Sequence, residues 1–172
     1  LGPLRPPPAR EVAWSQQDPT RLGSMGQESI QALISNETGR NKGTLKAAVS
    51  TWLKRLDLAD GIEVTRVGKT RLFEIEVIRG EHRSNLVDVG YGVSQVLPVI
   101  VLLQFVPEGS VILCEDPEAH LHPMAQAELA DMFAEVTRQR KLQILLETHS
   151  EHLFRRLQYL IADGKMSSDD CA

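Results

Sequence analysis

The stretch CEDPEAHLHP at 114–123 places three carboxylates, Glu115, Asp116 and Glu118, and two histidines, His120 and His122, within eight positions. It follows the apolar run SVIL and precedes the patterned segment MAQAELADMFAEV, so the cluster falls where a strand hands over to a helix. Two adjacent acids in that position suit phosphate transfer with Mg2+. The first can hold the ion or its water, and the second can orient or deprotonate an attacking water. The plainer reading is that Glu115 and Asp116 cap the turn before Pro117. A second cluster, ETHSEH at 147–152, ends another apolar run and weighs towards chemistry.

The histidines admit a different class. An extended HLH can set two imidazoles on one side, and His149 and His152 could join them as ligands of a metallohydrolase. Pro117 to Pro123 reads instead as a turn feeding a helix, in which His122 helps cap the helix and His120 hydrogen-bonds within the loop. Upstream, DVGYGVSQ at 88–95 sets Gly90 and Gly92 before a helix for which Ser94 is the expected cap. Glycines let backbone amides approach an anion, and a helix N-terminus favours negative charge. Pro98 then falls just past the donor-free positions, so an irregular first turn is expected. GKT at 68–70 imitates a phosphate-binding P-loop, but that motif requires Gly where Glu63 stands, and RLFEIEV after it alternates like a strand. No stretch of the 172 residues satisfies the motif.

The elements that must position these groups follow from apolar spacing. Residues 1–23 are rich in Pro and Arg and read as extended, with Arg5 and Arg10 beside the proline run. A short helix is expected over 27–35 and a connector over 36–44. Leu45, Ala48, Val49, Trp52, Leu53 and Leu56 then form one face of an amphipathic helix, with Gly61 as its stop. IEVTRV and RLFEIEVI read as a β-hairpin in which Phe73, Ile75 and Val77 share a face.

From residue 86 the character changes. The spacing predicts a helix over 95–106, a strand over 110–115, a helix over 123–140, a strand over 142–147 and a helix over 151–162. Pro123 takes the favoured first helical position, and Leu129, Met132, Phe133 and Val136 form the stripe of its helix. Short apolar strands alternating with helices imply a parallel sheet with covered faces, whose ligands bind beyond the carboxyl ends of the strands. The chain therefore divides into 1–43, 44–85 and 86–172.

Composition narrows the classes. A net charge of −4 argues against a broad nucleic-acid-binding face, while leaving room for a local basic patch. Cys114 and Cys171 fit no disulfide or zinc spacing, and a cytoplasmic location is the expectation. The longest apolar run, Val96 to Val106, is broken by Pro98 and Gln104 and falls short of the ~20 residues of a membrane span. The opening LGPLRPPPAR has no initiator Met and reads as though taken from mid-protein.

VGYGVSQVLPV, VILCEDPEAHLHPMAQAELADMF and ILLETHSEHLFRRL, in that order, resemble the C-terminal part of ABC-type ATPases of the OLD/RecF-like group, AAA-labelled and related to SMC proteins. The resemblance covers residues 86–163 closely. It implies an α/β fold of the P-loop NTPase type, here its C-terminal portion, preceded by a helical segment and a β-hairpin. It also implies ATP and Mg2+ as cofactors. Glu115 falls on the Walker B acid that holds Mg2+, Asp116 on the catalytic carboxylate, and His149 on the switch histidine that senses the γ-phosphate. Glu118 and His120 fall in the D-loop stretch, and Gly90, Gly92, Ser94 and Gln95 in the signature loop that serves a partner's nucleotide. Implied partners are a P-loop-bearing segment of the same or another protein, a second copy in an ATP-dependent dimer, and DNA or an effector nuclease, in DNA repair or anti-phage defence. Two departures stand out. The P-loop half is missing from the chain, and Asp116 replaces the usual Glu, shortening the base by one methylene.

Overall fold

The computed structural model describes residues 1–39 and 42–171. Of the connector expected over 36–44, residues 40 and 41 lie outside the described residues, and residues 36–38 belong instead to the first helix. Helix α1 spans Ser29–Thr38 and α2 spans Thr44–Arg55. The expected apolar face of α2 is turned inward, with Leu45, Val49, Trp52 and Leu53 buried. Its stop is not Gly61. The helix ends at Arg55, Asp57 takes a left-handed conformation (φ 54°), and Gly61 opens the next strand. Gly61 sits against Ser50, whose hydroxyl accepts the Ile62 amide at 3.1 Å.

The hairpin forms as β2 (Gly61–Arg66) and β3 (Leu72–Arg79), paired antiparallel from Gly61 opposite Ile78 to Arg66 opposite Phe73. Phe73, Ile75 and Val77 are buried on one face, as the period-two alternation dictates. GKT lies in the hairpin turn, with no helix after it. Two short strands extend the sheet beyond expectation: β1 (Val12–Ala13) from the proline-rich opening and β4 (His82–Asn85), both paired with β3.

Helix α3 (Tyr91–Phe105) is apolar on every side and runs through the middle of the core, with Val96, Val99, Ile100 and Val101 fully buried. It begins earlier than expected, and Ser94 does not cap it. Gly90 is the cap residue, and the Ser94 hydroxyl turns back to donate to the Tyr91 carbonyl at 2.8 Å. The helix continues through Pro98, which lacks the amide that would be directed at residue 94.

The remaining elements are β5 (Val111–Glu115), α4 (Pro123–Arg140), β6 (Gln143–Glu147) and α5 (Glu151–Ala162). Leu129, Met132, Phe133 and Val136 of α4 are buried, as their spacing predicts. Arg55 of α2 lies over the Trp52 ring and reaches Glu128 and Glu135, tying α2 to α4. Strands β5 and β6 are parallel, but only one face of the pair is covered. Ile112 and Cys114 belong to the core shared with α3 and α4, whereas Val111, Leu113 and Leu145 on the other face are 63%, 57% and 56% exposed. The expectation of two covered faces is thus corrected: among the described residues no element packs on that side. One apolar core nevertheless links all three segments of the chain, from Leu22 through Trp52 and Leu86 to Leu153.

Candidate functional site

The register of the parallel pair assembles the site. Glu115 lies opposite Glu147, and one step further the Asp116 amide donates to the Glu147 carbonyl at 2.9 Å. The two polar turns that end β5 and β6 are therefore neighbours at the carboxyl edge, where open parallel sheets bind ligands. Asp116 has φ 44°, a left-handed value that few non-glycine residues adopt. The chain reverses there, and Pro117 and Glu118 are buried behind it.

Glu118 is 6% exposed and is directed at the other turn. Its Oε1 accepts the Thr148 hydroxyl at 2.5 Å and the His149 amide at 3.0 Å, while Oε2 is buried with no partner among the described residues. A buried carboxylate needs such donors, because desolvation otherwise costs more than the charge returns. Ser150 completes the turn: its hydroxyl donates to Gln126 at 2.7 Å and caps α5 by accepting the Leu153 amide at 3.0 Å. The His149 ring is left exposed. Asp116, Glu118, His120, His149, Gln126 and Ser150 line one cavity of about 400 Å3, with Pro3 on its rim. A larger cavity of about 730 Å3, lined from Asp18, α1, α2 and the end of α3, gathers no set of catalytic groups among the described residues.

The histidines diverge. His122 caps α4 through its ring Nδ1, which accepts the Ala125 amide at 3.3 Å. His120, with φ 65°, packs its ring edge-on against Tyr91 at 4.7 Å; the structure assigns it this ring contact in place of the loop hydrogen bond expected of it. His152 lies on the first turn of α5 and does not line the cavity. Among the described residues, no group of three or more His, Cys, Asp or Glu side chains is arranged to hold a metal ion. That disfavours a histidine cage. It does not disfavour Mg2+, which takes one or two carboxylates and completes its shell with phosphates and water.

The segment that opens α3 is built differently from expectation. Gly92 is needed for packing: a Cβ there would stand 2.9 Å from the His120 carbonyl oxygen and 3.3 Å from Leu121. Gly90 faces open space and Tyr91 is half exposed. Ser94 and Gln95 are buried, and the Gln95 amide donates to the Arg5 carbonyl at 3.3 Å. Sequence reasoning gave Arg5 no role. It is 3% exposed, and its Nη2 donates to the carbonyls of Glu115 at 2.8 Å and Asp116 at 2.9 Å. No local signal in an Arg beside prolines marks it for burial.

No helix among the described residues is long and apolar enough to cross a membrane. No curated protein matches the chain. Among solved structures, one from work on ATP-driven dimerisation and DNA-stimulated activation of SMC ATPases matches with a TM-score of 0.51 and 17% identity, over 65% of this chain and 71% of that one. The Smc head domain of Pyrococcus furiosus, with an extended coiled coil and bound to the C-terminal domain of ScpA, matches with a TM-score of 0.53 and 14% identity, over 76% of this chain and 32% of that one. At those identities the likeness is one of fold, an α/β fold of the P-loop NTPase type. A family model matches residues 21–155, most of the chain and nearly all of the site. The chain belongs to the family described as AAA domain, putative AbiEii toxin, Type IV TA system.

Proposed function

We propose that this ATPase-type domain is the carboxyl-terminal portion of an ABC-type ATP-hydrolysing unit, of the OLD/RecF-like kind, completed by a P-loop-bearing segment of the same or a partner protein. The observation that carries the reading is the register of β5 and β6, which sets Glu115 and Asp116 beside the turn that presents His149. The residues fit Mg-ATP: a pair of acids at the strand end and a cavity with an unpartnered buried carboxylate oxygen suit a cation and the water around it. Bound Mg2+ supplies charge neutralisation at phosphate oxygens.

Glu115 holds the ion or its water. Asp116 orients the attacking water and takes its proton. His149, its ring free and its amide anchored on Glu118, donates to the phosphate end. Glu118 and His120 shape the wall between the two turns, and the backbone at Gly90 and Gly92 faces a partner's nucleotide with Ser94 and Gln95 behind it. The open face of Val111, Leu113 and Leu145 supports a completing segment, since parallel sheets are ordinarily covered on both sides. A cytoplasmic homodimer acting with DNA or an effector nuclease, in DNA repair or phage defence, is the setting this reading implies.

The test is ATP turnover by the chain joined to a P-loop-bearing segment. Asp116→Asn lowers turnover about a hundred-fold, the scale of a lost general base, and retains Mg-ATP binding. Glu115→Gln weakens the use of Mg2+ instead, raising the Mg2+ concentration that turnover requires. Equal and mild effects from both would return the acids to turn capping.

A further inference from the structure

Residues 1–10 touch both halves of the site. The Leu1 amino group and carbonyl bond along β5, to the Leu113 carbonyl and, at 2.9 Å, the Glu115 amide. Arg5 then passes beneath the acid turn. Its guanidinium reaches the Glu115 and Asp116 carbonyls with one nitrogen and the Gln95 carbonyl, at 3.3 Å, with the other. Gln95 answers through its side chain to the Arg5 carbonyl. Five residues on, Arg10 grips Asp88 through both guanidinium nitrogens, at 2.8 and 2.5 Å, and its carbonyl accepts from Asn85 at 3.1 Å.

We propose that residues 1–10 are a strap that couples the 88–95 loop to the acid turn, with Arg5 as the positioning residue that sets the left-handed backbone of Asp116. The physical case rests on geometry and burial. A cation that is 3% exposed is stabilised only where acceptors replace its water, and these acceptors are main-chain carbonyls of the two segments in question. Neither segment can shift by an ångström without stretching a charge-assisted bond to the same planar group. The planarity matters, because two nitrogens in a rigid fork fix an angle as well as a distance. A lysine ammonium at the same depth is a point charge and cannot span the carbonyls of 95, 115 and 116 together.

Arg5 touches no reacting atom. It acts through Asp116, and the catalytic arm of this inference rests on the ATPase reading above. The structural arm does not, so the two can fail separately.

Hydrogen exchange of the 172-residue chain tests the strap. Arg5→Lys is expected to accelerate amide exchange together in 88–95 and 114–118, about ten-fold or more, with the β2–β3 hairpin unchanged. Acceleration everywhere, or none at 114–118, overturns the proposal. Arg10→Ala, at an exposed position, serves where Arg5→Lys folds poorly: it is expected to loosen 85–95 and, through Arg5, 114–118. A response confined to residues 85–88 overturns the coupling. In the completed ATPase, Arg5→Lys is expected to lower kcat about ten- to a hundred-fold with KM for ATP within two-fold, and to add little to Asp116→Asn. Full additivity with Asp116→Asn overturns the positioning role. Coupled exchange in a chain whose completed form does not turn over ATP sustains the strap and refutes the ATPase reading.

Discussion

Glu118 and His149 are joined across the two strand ends: the carboxylate of the first accepts the main-chain amide of the second at 3.0 Å. With the Thr148 hydroxyl on the same oxygen, the turn after β5 holds the turn after β6, and the ring of His149 is aimed by a residue 31 positions away. Glu118→Ala leaves two donors without an acceptor and is expected to cost about 1–3 kcal/mol of stability. Glu118→Gln retains one carbonyl oxygen and removes the buried charge, so it is expected to cost less. Urea unfolding of both variants checks the order, and a Gln variant as weak as the Ala variant would show that the charge itself holds the turn.

Gly90, the cap of α3, and Gly92, in its first turn, are expected to respond differently to Ala. Gly92→Ala drives a Cβ to 2.9 Å from the His120 carbonyl oxygen and is expected to destabilise by about 1–3 kcal/mol. Gly90→Ala meets nothing within 4 Å at a φ of −56° and is expected to lie within about 0.5 kcal/mol of the parent. Denaturant midpoints of the pair decide this, and equal shifts would refute the packing role of Gly92.

Ser94 is 7% exposed, so Ser94→Arg buries an unpaired cation rather than decorating a loop. The expected loss is about 3–5 kcal/mol in the chain alone, before any partner is added. Tyr91, 49% exposed at the first position of α3, is the position for testing assembly. Tyr91→Arg is expected to preserve the fold by circular dichroism and to block ATP-dependent dimerisation of the completed protein. Dimerisation at parental strength would move the contact elsewhere.

Burial pushes the Cys114 thiol up to about 11, while Cys171 is exposed. At pH 8, Cys171 is expected to label with iodoacetamide in minutes and Cys114 only after unfolding. Because the folded pKa lies above the unfolded one, the stability Cys114 contributes is whole below about 9 and declines as pH rises towards 11. Rapid labelling of both cysteines in the folded chain, read by mass spectrometry of the two peptides, would contradict the burial of Cys114.

Local patterns alone determined much of this protein. The apolar stripes of α2 and α4, the alternation in β3, the Pro123 start and the His122 cap are all set by contacts within a few residues, so spacing and residue type suffice to read them. The motifs around Glu115, Asp116 and His149 carried the family resemblance for the same reason. The tertiary structure decided what depends on distant partners. It moved the start of α3 to Tyr91, because Ser94 and Gln95 are drawn into the core and Gln95 meets the main chain of Arg5. It made Gly92 a packing residue, because the His120 carbonyl crosses it. It made Glu118, placed by resemblance in the D-loop stretch, the anchor of the His149 amide, and it buried Arg5, which the sequence shows only as an Arg beside the proline run. Glu118, Gln95 and Arg5 are buried polar groups that meet donors or acceptors far along the chain, and Gly92 is fixed by a carbonyl that only the fold brings to it. A sequence lists those groups, but only the closed fold pairs them.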